Sequence, residues 1–232
     1  MQNNTLQIFN ERNINQQMLN ISGMDITGYI NFDKFINTIE IKCHENCISK
    51  IEGIRPNIKK LHCYKNRLMD LDSLNDDFLE LEELDCSRNY IVSLDYLPLR
   101  LIKLNCSSNY IVSLDNLPEG LIELVCSHTY IVSLDNLPLG LIELVCSHNK
   151  NLTQLDYLPY SVKNLEANSN PKLKQLSNLP NSIEKIVFNT EILILPIPKN
   201  TKLIFCSEKG MELNKIKKYQ YKHSKKNFKF IK

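Results

Sequence analysis

Between Leu81 and Ser161 the chain repeats one unit of about twenty residues four times. The copies are LEELDCSRNYIVSLDYLPLR (81–100), LIKLNCSSNYIVSLDNLPEG (101–120), LIELVCSHTYIVSLDNLPLG (121–140) and LIELVCSHNKNLTQLDYLPYS (141–161). A unit this short cannot enclose a core of its own, so its apolar positions must be covered by the copies before and after it. The chain is thereby committed to a stacked array. A catalytic site needs several different groups assembled once, whereas near-verbatim copying multiplies a single surface.

Weaker copies continue the pattern in both directions: TIEIKCHENCI (38–48), IKKLHCYKNRL (58–68), VKNLEANSNPKL (162–173), IEKIVFNTEIL (183–193) and TKLIFC (201–206), nine units in all. Their fourth place is Ile41, Leu61, Leu84, Leu104, Leu124, Leu144, Leu165, Ile186 and Ile204, apolar throughout. Alternation around that place predicts a short strand, and the strands should lie parallel at roughly 4.8 Å spacing in one concave sheet. The returning half carries apolar residues three apart (Ile111, Leu114, Leu117) and ends in Leu-Pro. That pattern suits a tight turn or an extended arc rather than a long helix. The expected fold class is an α/β-type repeat solenoid, with a parallel concave β-sheet and a mostly irregular, polyproline-II or 3-10 convex side. The expected organisation is an N-terminal cap over 1–37, a solenoid over 38–208 and a basic aromatic C-terminal cap or tail over 209–232.

The pattern L-x-x-L-x-C-x-x-N-x-I resembles the leucine-rich repeat template, with Cys in its sixth place. It is most similar to the short repeats of bacterial effectors of the IpaH and YopM type, and similar repeats occur in giant DNA viruses. The excess of Lys over Arg, the abundant Asn and the single alanine, Ala167, suit an AT-rich genome of that kind. The resemblance implies a solenoid that binds proteins inside a eukaryotic cell. The chain departs from the effectors by writing L-D-N-L-P where they write L-P-x-L-P. It also has no segment long enough for their ubiquitin-ligase domain, so that activity is not carried over.

A net charge of +2 implies no polyanionic partner for the chain as a whole, although the excess is concentrated at the C-terminus. No apolar run approaches the roughly 18 residues of a membrane span, and the polar start MQNNTLQIFNERNINQQML has no secretory h-region. An intracellular, cytoplasmic protein is expected, in the host cytoplasm under the viral resemblance. There is no Ser/His/Asp arrangement, phosphate-binding glycine loop or metal-hydrolase motif, so neither an enzyme nor a cofactor is expected.

Four columns recur. The sixth place is Cys43, Cys63, Cys86, Cys106, Cys126, Cys146 and Cys206, with Ala167 and Phe188 substituting in two units. Positions that accept Cys, Ala and Phe are core positions, and these thiols are expected to be reduced and buried. The sharper alternative, zinc held by Cys126, His128, Cys146 and His148, fails if the cysteines point inward and the histidines outward. The ninth place is Asn46, Asn66, Asn89, Asn109, Thr129, Asn149 and Asn170. Asparagine there tolerates a tight turn and bonds the backbone of its own and the next unit, with Thr129 a weaker rung. Asp72, Asp95, Asp115, Asp135 and Asp156 are expected to accept from backbone N–H groups two or three residues on, as helix caps and Asx-turns do, rather than to hold calcium.

On each strand the third, fifth and seventh places are expected to face the concave side. There Val125 and Val145, with Ile122 and Ile142 along their edge, form an apolar stripe beside Asn105, approached through the polar Tyr64 and Arg88. This is the candidate site for an unidentified protein partner. The alternative is nucleic-acid or anionic-membrane association through the tail residues Lys217, Lys218, Tyr219, Tyr221, Lys225 and Lys226, where basic and aromatic side chains interleave. The same tail could instead fold into a hairpin that caps the last repeat.

Overall fold

The three residues centred on each fourth place form a strand because the middle side chain is apolar and turns inward while its neighbours alternate to the other face. The computed structural model describes residues 15–74, 79–188, 198 and 201, and the backbone of 193–194, 202–206 and 228–231. Its strands are β1 (Met18–Asn20), β2 (Thr27–Asn31), β3 (Glu40–Lys42), β4 (Cys47–Glu52), β5 (Lys60–His62), β6 (Glu83–Asp85), β7 (Lys103–Asn105), β8 (Glu123–Val125), β9 (Glu143–Val145), β10 (Asn164–Glu166), β11 (Gln175–Leu176), β12 (Lys185–Phe188), β13 (Leu193–Ile194), β14 (Lys202–Cys206) and β15 (Phe228–Ile231).

Among the described residues one parallel sheet of eleven strands runs β1-β3-β5-β6-β7-β8-β9-β10-β12-β14-β15. Its fourth-place residues lie directly opposite one another, Leu84 to Leu104 to Leu124 to Leu144. Nine of these strands belong to the nine repeat units. Strand β1 adds a turn before them, pairing Leu19 with Ile41. The convex side carries two short parallel pairs, β2 with β4 and β11 with β13, and a 3-10 turn at Asp72–Leu74, so the predicted helix-poor return is what forms. Each regular return closes on a four-residue turn in which the N–H of Leu101, Leu121 or Leu141 donates to the carbonyl of Pro98, Pro118 or Pro138.

One expectation at the C-terminal end changes. The register pairs Leu203 with Ile186 and Phe205 with Phe188, so Leu203 and Phe205, not Ile204 and Cys206, continue the fourth and sixth columns. Residues 203–206 are apolar at both parities, and a strand without alternation does not dictate its own register. Phe228–Ile231, one arm of the expected hairpin, lies parallel to β14 at the end of the sheet, and the other arm falls outside the described residues. Lys217, Lys218, Tyr219, Tyr221, Lys225 and Lys226 lie outside the described residues.

The core is a set of columns running along the solenoid. The fourth-, sixth-, eleventh- and fourteenth-place residues of units 81, 101 and 121 are buried, including Ile91, Ile111 and Ile131. Cys43, Cys63, Cys86, Cys106, Cys126 and Cys146 are completely enclosed as free thiols. Burial pushes the thiols of Cys43, Cys106 and Cys146 up to about 12, and those of Cys63, Cys86 and Cys126 well above their ordinary value. With the thiolate suppressed and the sulfur covered, these residues should alkylate only as the protein unfolds. Half-buried Cys47 should react first among the described cysteines. Mass spectrometry after a brief iodoacetamide pulse checks this, and rapid labelling of Cys106 or Cys126 without denaturant would contradict it.

The asparagine column works as expected, with two differences. Asn109 Nδ2 donates to the carbonyls of Cys106 in its own unit (2.9 Å) and Cys86 in the preceding one (3.0 Å), and its Oδ1 accepts from the Ile91 N–H (3.0 Å). The carboxamide therefore reaches back to the preceding unit rather than forward. The tight turn, moreover, is taken by the residue before it. Glu45, Lys65, Arg88, Ser108, His128, His148 and Ser169 all have φ between 55° and 59°. That left-handed residue swings the chain out of the strand and turns its own side chain toward solvent while the asparagine points in.

The aspartates also differ from expectation. Asp95 accepts from Ser93 Oγ (2.6 Å) and from Asn116 Nδ2 of the next unit (2.9 Å), and Asp115 pairs with Asn136 Nδ2 (3.0 Å) in the same way. They stitch units together across the convex side instead of capping their own turn. The bonds from Ser93 and Asn116 hold the Asp95 carboxyl below its usual range, and those from Ser113 and Asn136 do the same for Asp115.

Candidate protein-interaction surface

Outward-facing third-place side chains stand directly opposite their counterparts on adjacent strands, so alternating charges pair along the sheet. Lys60 meets Glu83 at 2.9 Å and Lys103 meets Glu123 at 2.6 Å. Diagonally across β10 and β12, fifth-place Glu166 bonds third-place Lys185 at 2.8 Å. The alternation breaks at β8 and β9, where Glu123 lies opposite Glu143 and Val125 opposite Val145. Like charges directly opposite one another cost stability, so this break is local frustration in an otherwise paired ladder. Glu143 is met instead by Asn164 Nδ2 at 2.9 Å.

The predicted residues divide into two groups. Val125 and Val145 are half-buried side by side, Ile142 is half-buried, Ile122 is 36% exposed, and Asn105 is the next residue along the fifth column. Asn105 is held by Asp85 Oδ2 (3.3 Å) and by the Ser107 N–H (3.2 Å). Asn105, Val125 and Val145 thus stand side by side in one column, and Ile122 and Ile142 adjoin each other in the second place, the Ile142 N–H donating to the Ile122 carbonyl at 2.9 Å. Tyr64 and Arg88 lie elsewhere: Tyr64 stacks on His44 with ring centroids 4.2 Å apart, three strands from Val125, and Arg88 lines a groove on the flank of the solenoid. The seventh place is also less open than expected. Ser87 and Ser147 are buried, and Ser107 Oγ and Ser127 Oγ accept from the next unit's N–H groups at 3.2 and 3.1 Å.

The flank was not anticipated. Beyond the left-handed residue the chain is extended, so Tyr90, Tyr110 and Tyr130 point outward, Ile91, Ile111 and Ile131 inward, and Val92, Val112 and Val132 outward again. The tyrosines are 45–49% exposed and the valines 53–62%. The rings stack along the solenoid with centroids 6.1 and 5.7 Å apart. The I-V-S-L segment conceals this surface in the sequence, because its valine reads as core until the phase of the return is known.

His128 and His148 stack on this edge with centroids 4.3 Å apart and are exposed, while Cys126 and Cys146 are enclosed in the core. The zinc quartet therefore does not converge. Burial, and then electrostatic interaction with His148, Arg88 and Lys150, lower the pKa of His128.

A parallel sheet of one short strand per repeat, Cys in place of Leu at the sixth position and a ladder of buried asparagines define the leucine-rich repeat fold. Solved structures of that fold match over most of the chain. A Shigella effector leucine-rich repeat domain matches with TM-score 0.55 and 21% identity, over 75% of this chain and 77% of that one. A functional domain of InlJ from Listeria monocytogenes, which includes a cysteine ladder, matches with TM-score 0.50 and 20% identity, over 82% of this chain and 53% of that one. The structure of a TLR13–ssRNA13 complex matches with TM-score 0.56 and 18% identity, over 82% of this chain and 37% of that one. No protein-family model matches the chain, and no curated protein matches it by sequence. Among the described residues no helix is long and apolar enough to cross a membrane.

Proposed function

We propose that this chain is a non-catalytic, protein-binding leucine-rich repeat scaffold that engages its partner on the concave sheet at Val125 and Val145, with Ile122, Ile142 and Asn105 around them. The observation that carries this reading is the break in the charge ladder. Where Glu123 faces Glu143 and Val125 faces Val145, the sheet gives up cross-strand pairing that it keeps on either side. An apolar pair rimmed by charge is the surface composition of an interaction site. The resemblance to short bacterial-effector repeats supports a place of action inside a cell and a host protein as partner, and the composition is compatible with a viral source.

The double change Val125→Asp with Val145→Asp tests the assignment. Both side chains lie outside the core columns, so the thermal midpoint should stay within a few degrees of wild type. Capture of the partner identified by pull-down should fall at least about tenfold, as expected when hot-spot residues are lost. Undiminished capture would move the site off this stripe. Deleting residues 214–232 in parallel separates out nucleic-acid or anionic-membrane association through the basic tail, which would show as salt-dependent retention lost with the deletion.

A further inference from the structure

We propose that the tyrosine flank is a second binding surface, distinct from the concave one, and that it takes an acidic, extended segment of a partner polypeptide. A groove of about 470 Å³ runs along this flank. One wall is made by the left-handed residues Lys65, Arg88 and His128, the other by Tyr90, Tyr110 and Tyr130, and the buried asparagines form its floor. From the unit of Lys65 to that of His128 is three strand spacings, roughly 14 Å, which matches about four residues of extended chain.

Charge selects the occupant. Lys65 and Arg88 line the groove, Lys65 meeting Glu45 at 3.4 Å, and there is no carboxylate among the described residues that line it. The opposite, convex side carries the carboxylates Asp95, Asp115 and Asp135. A groove with one cationic wall inside a surface of small net charge discriminates in favour of anionic partners. The rings decide between an acidic peptide and a single-stranded nucleic acid. Stacked on one another at 20° and 21° between planes, the tyrosines turn their faces toward one another along the column. Ring edges are the positive part of an aromatic quadrupole and suit carboxylates, whereas nucleobases need open faces. Two cationic side chains, Lys65 and Arg88, are also few for a phosphate backbone.

The test uses the full chain and a displayed library of random decapeptides, with an oligothymidylate probe alongside. Enriched peptides should carry net negative charge, and once synthesised they should bind less tightly as salt is raised. They should bind Arg88→Glu at least about tenfold more weakly and the Val125→Asp/Val145→Asp chain as well as wild type. Arg88→Glu is compatible with the fold because Glu45 already occupies the same place in an earlier unit with φ 57°, and an unchanged thermal midpoint verifies that. Enrichment of neutral or basic peptides, no enrichment, or undiminished binding to Arg88→Glu would overturn the proposal. Oligothymidylate binding that is tighter than peptide binding and lost in Arg88→Glu would assign the groove to nucleic acid instead. Loss only in the concave variant would overturn this proposal while leaving the concave scaffold intact, so the two readings fail separately.

Discussion

Replacing Asn109 by leucine should destabilise the protein by about 2–5 kcal/mol in urea unfolding, although the two side chains share the same branched skeleton. The change strands the Ile91 N–H and takes a donor from the carbonyls of Cys86 and Cys106, and each buried polar group left unpartnered costs about 1–3 kcal/mol. In a solenoid, where each unit is held by its neighbours, the loss falls on the interface between two central units. The converse exists in the native chain at Thr129. Its single hydroxyl hydrogen is shared between the Cys126 carbonyl (3.1 Å) and Asn149 Oδ1 (2.9 Å), and it has no carboxamide with which to reach the Ile111 N–H or the Cys106 carbonyl. Thr129→Asn should therefore raise stability by about 1 kcal/mol. Equal midpoints for wild type and Asn109→Leu would mean that the ladder contributes geometry without stability.

Leu104→Ala should cost about 2–5 kcal/mol, because the side chain is 2% exposed between Leu84 and Leu124 and the rigid sheet cannot collapse into the cavity. The measurement is the same urea titration, with the change in midpoint multiplied by the slope. Val125→Asp/Val145→Asp, one residue further along on strands β8 and β9, serves as the internal contrast, with little expected change. A near-zero effect of Leu104→Ala would break the assignment of the fourth place as core.

These two predictions could be placed from sequence because the repeat is its own alignment. Nine copies show which positions never become polar, and period-two alternation around them fixes which way each side chain points. The cysteine column was legible for the same reason, since Ala167 and Phe188 substitute within it. Where the copies are weak the reading slipped: in TKLIFC four successive apolar residues offer two registers, and backbone pairing with β12 chose the one that places Leu203 opposite Ile186.

The candidate site was only half legible. Asn105, Val125 and Val145 line up in one column because strand order and register follow directly from the repeat. Tyr64 and Arg88 do not join them, and the Tyr90, Tyr110 and Tyr130 flank went unseen. The physical reason is the left-handed residue in the eighth place. Sequence marks the conspicuous asparagine at that corner, yet any of Glu, Lys, Arg, Ser or His takes the unusual φ before it, so no residue type announces the turn. That turn resets the phase of everything after it. The sequence by itself determined the solenoid, its strands and its core columns, because these depend on periodicity within and between units. Only the tertiary structure decided which columns of the return face solvent, which unit each Asn and Asp bonds, and which cations share a groove. Those depend on one backbone rotation per unit and on the contact between neighbouring turns, and neither leaves a period in the sequence.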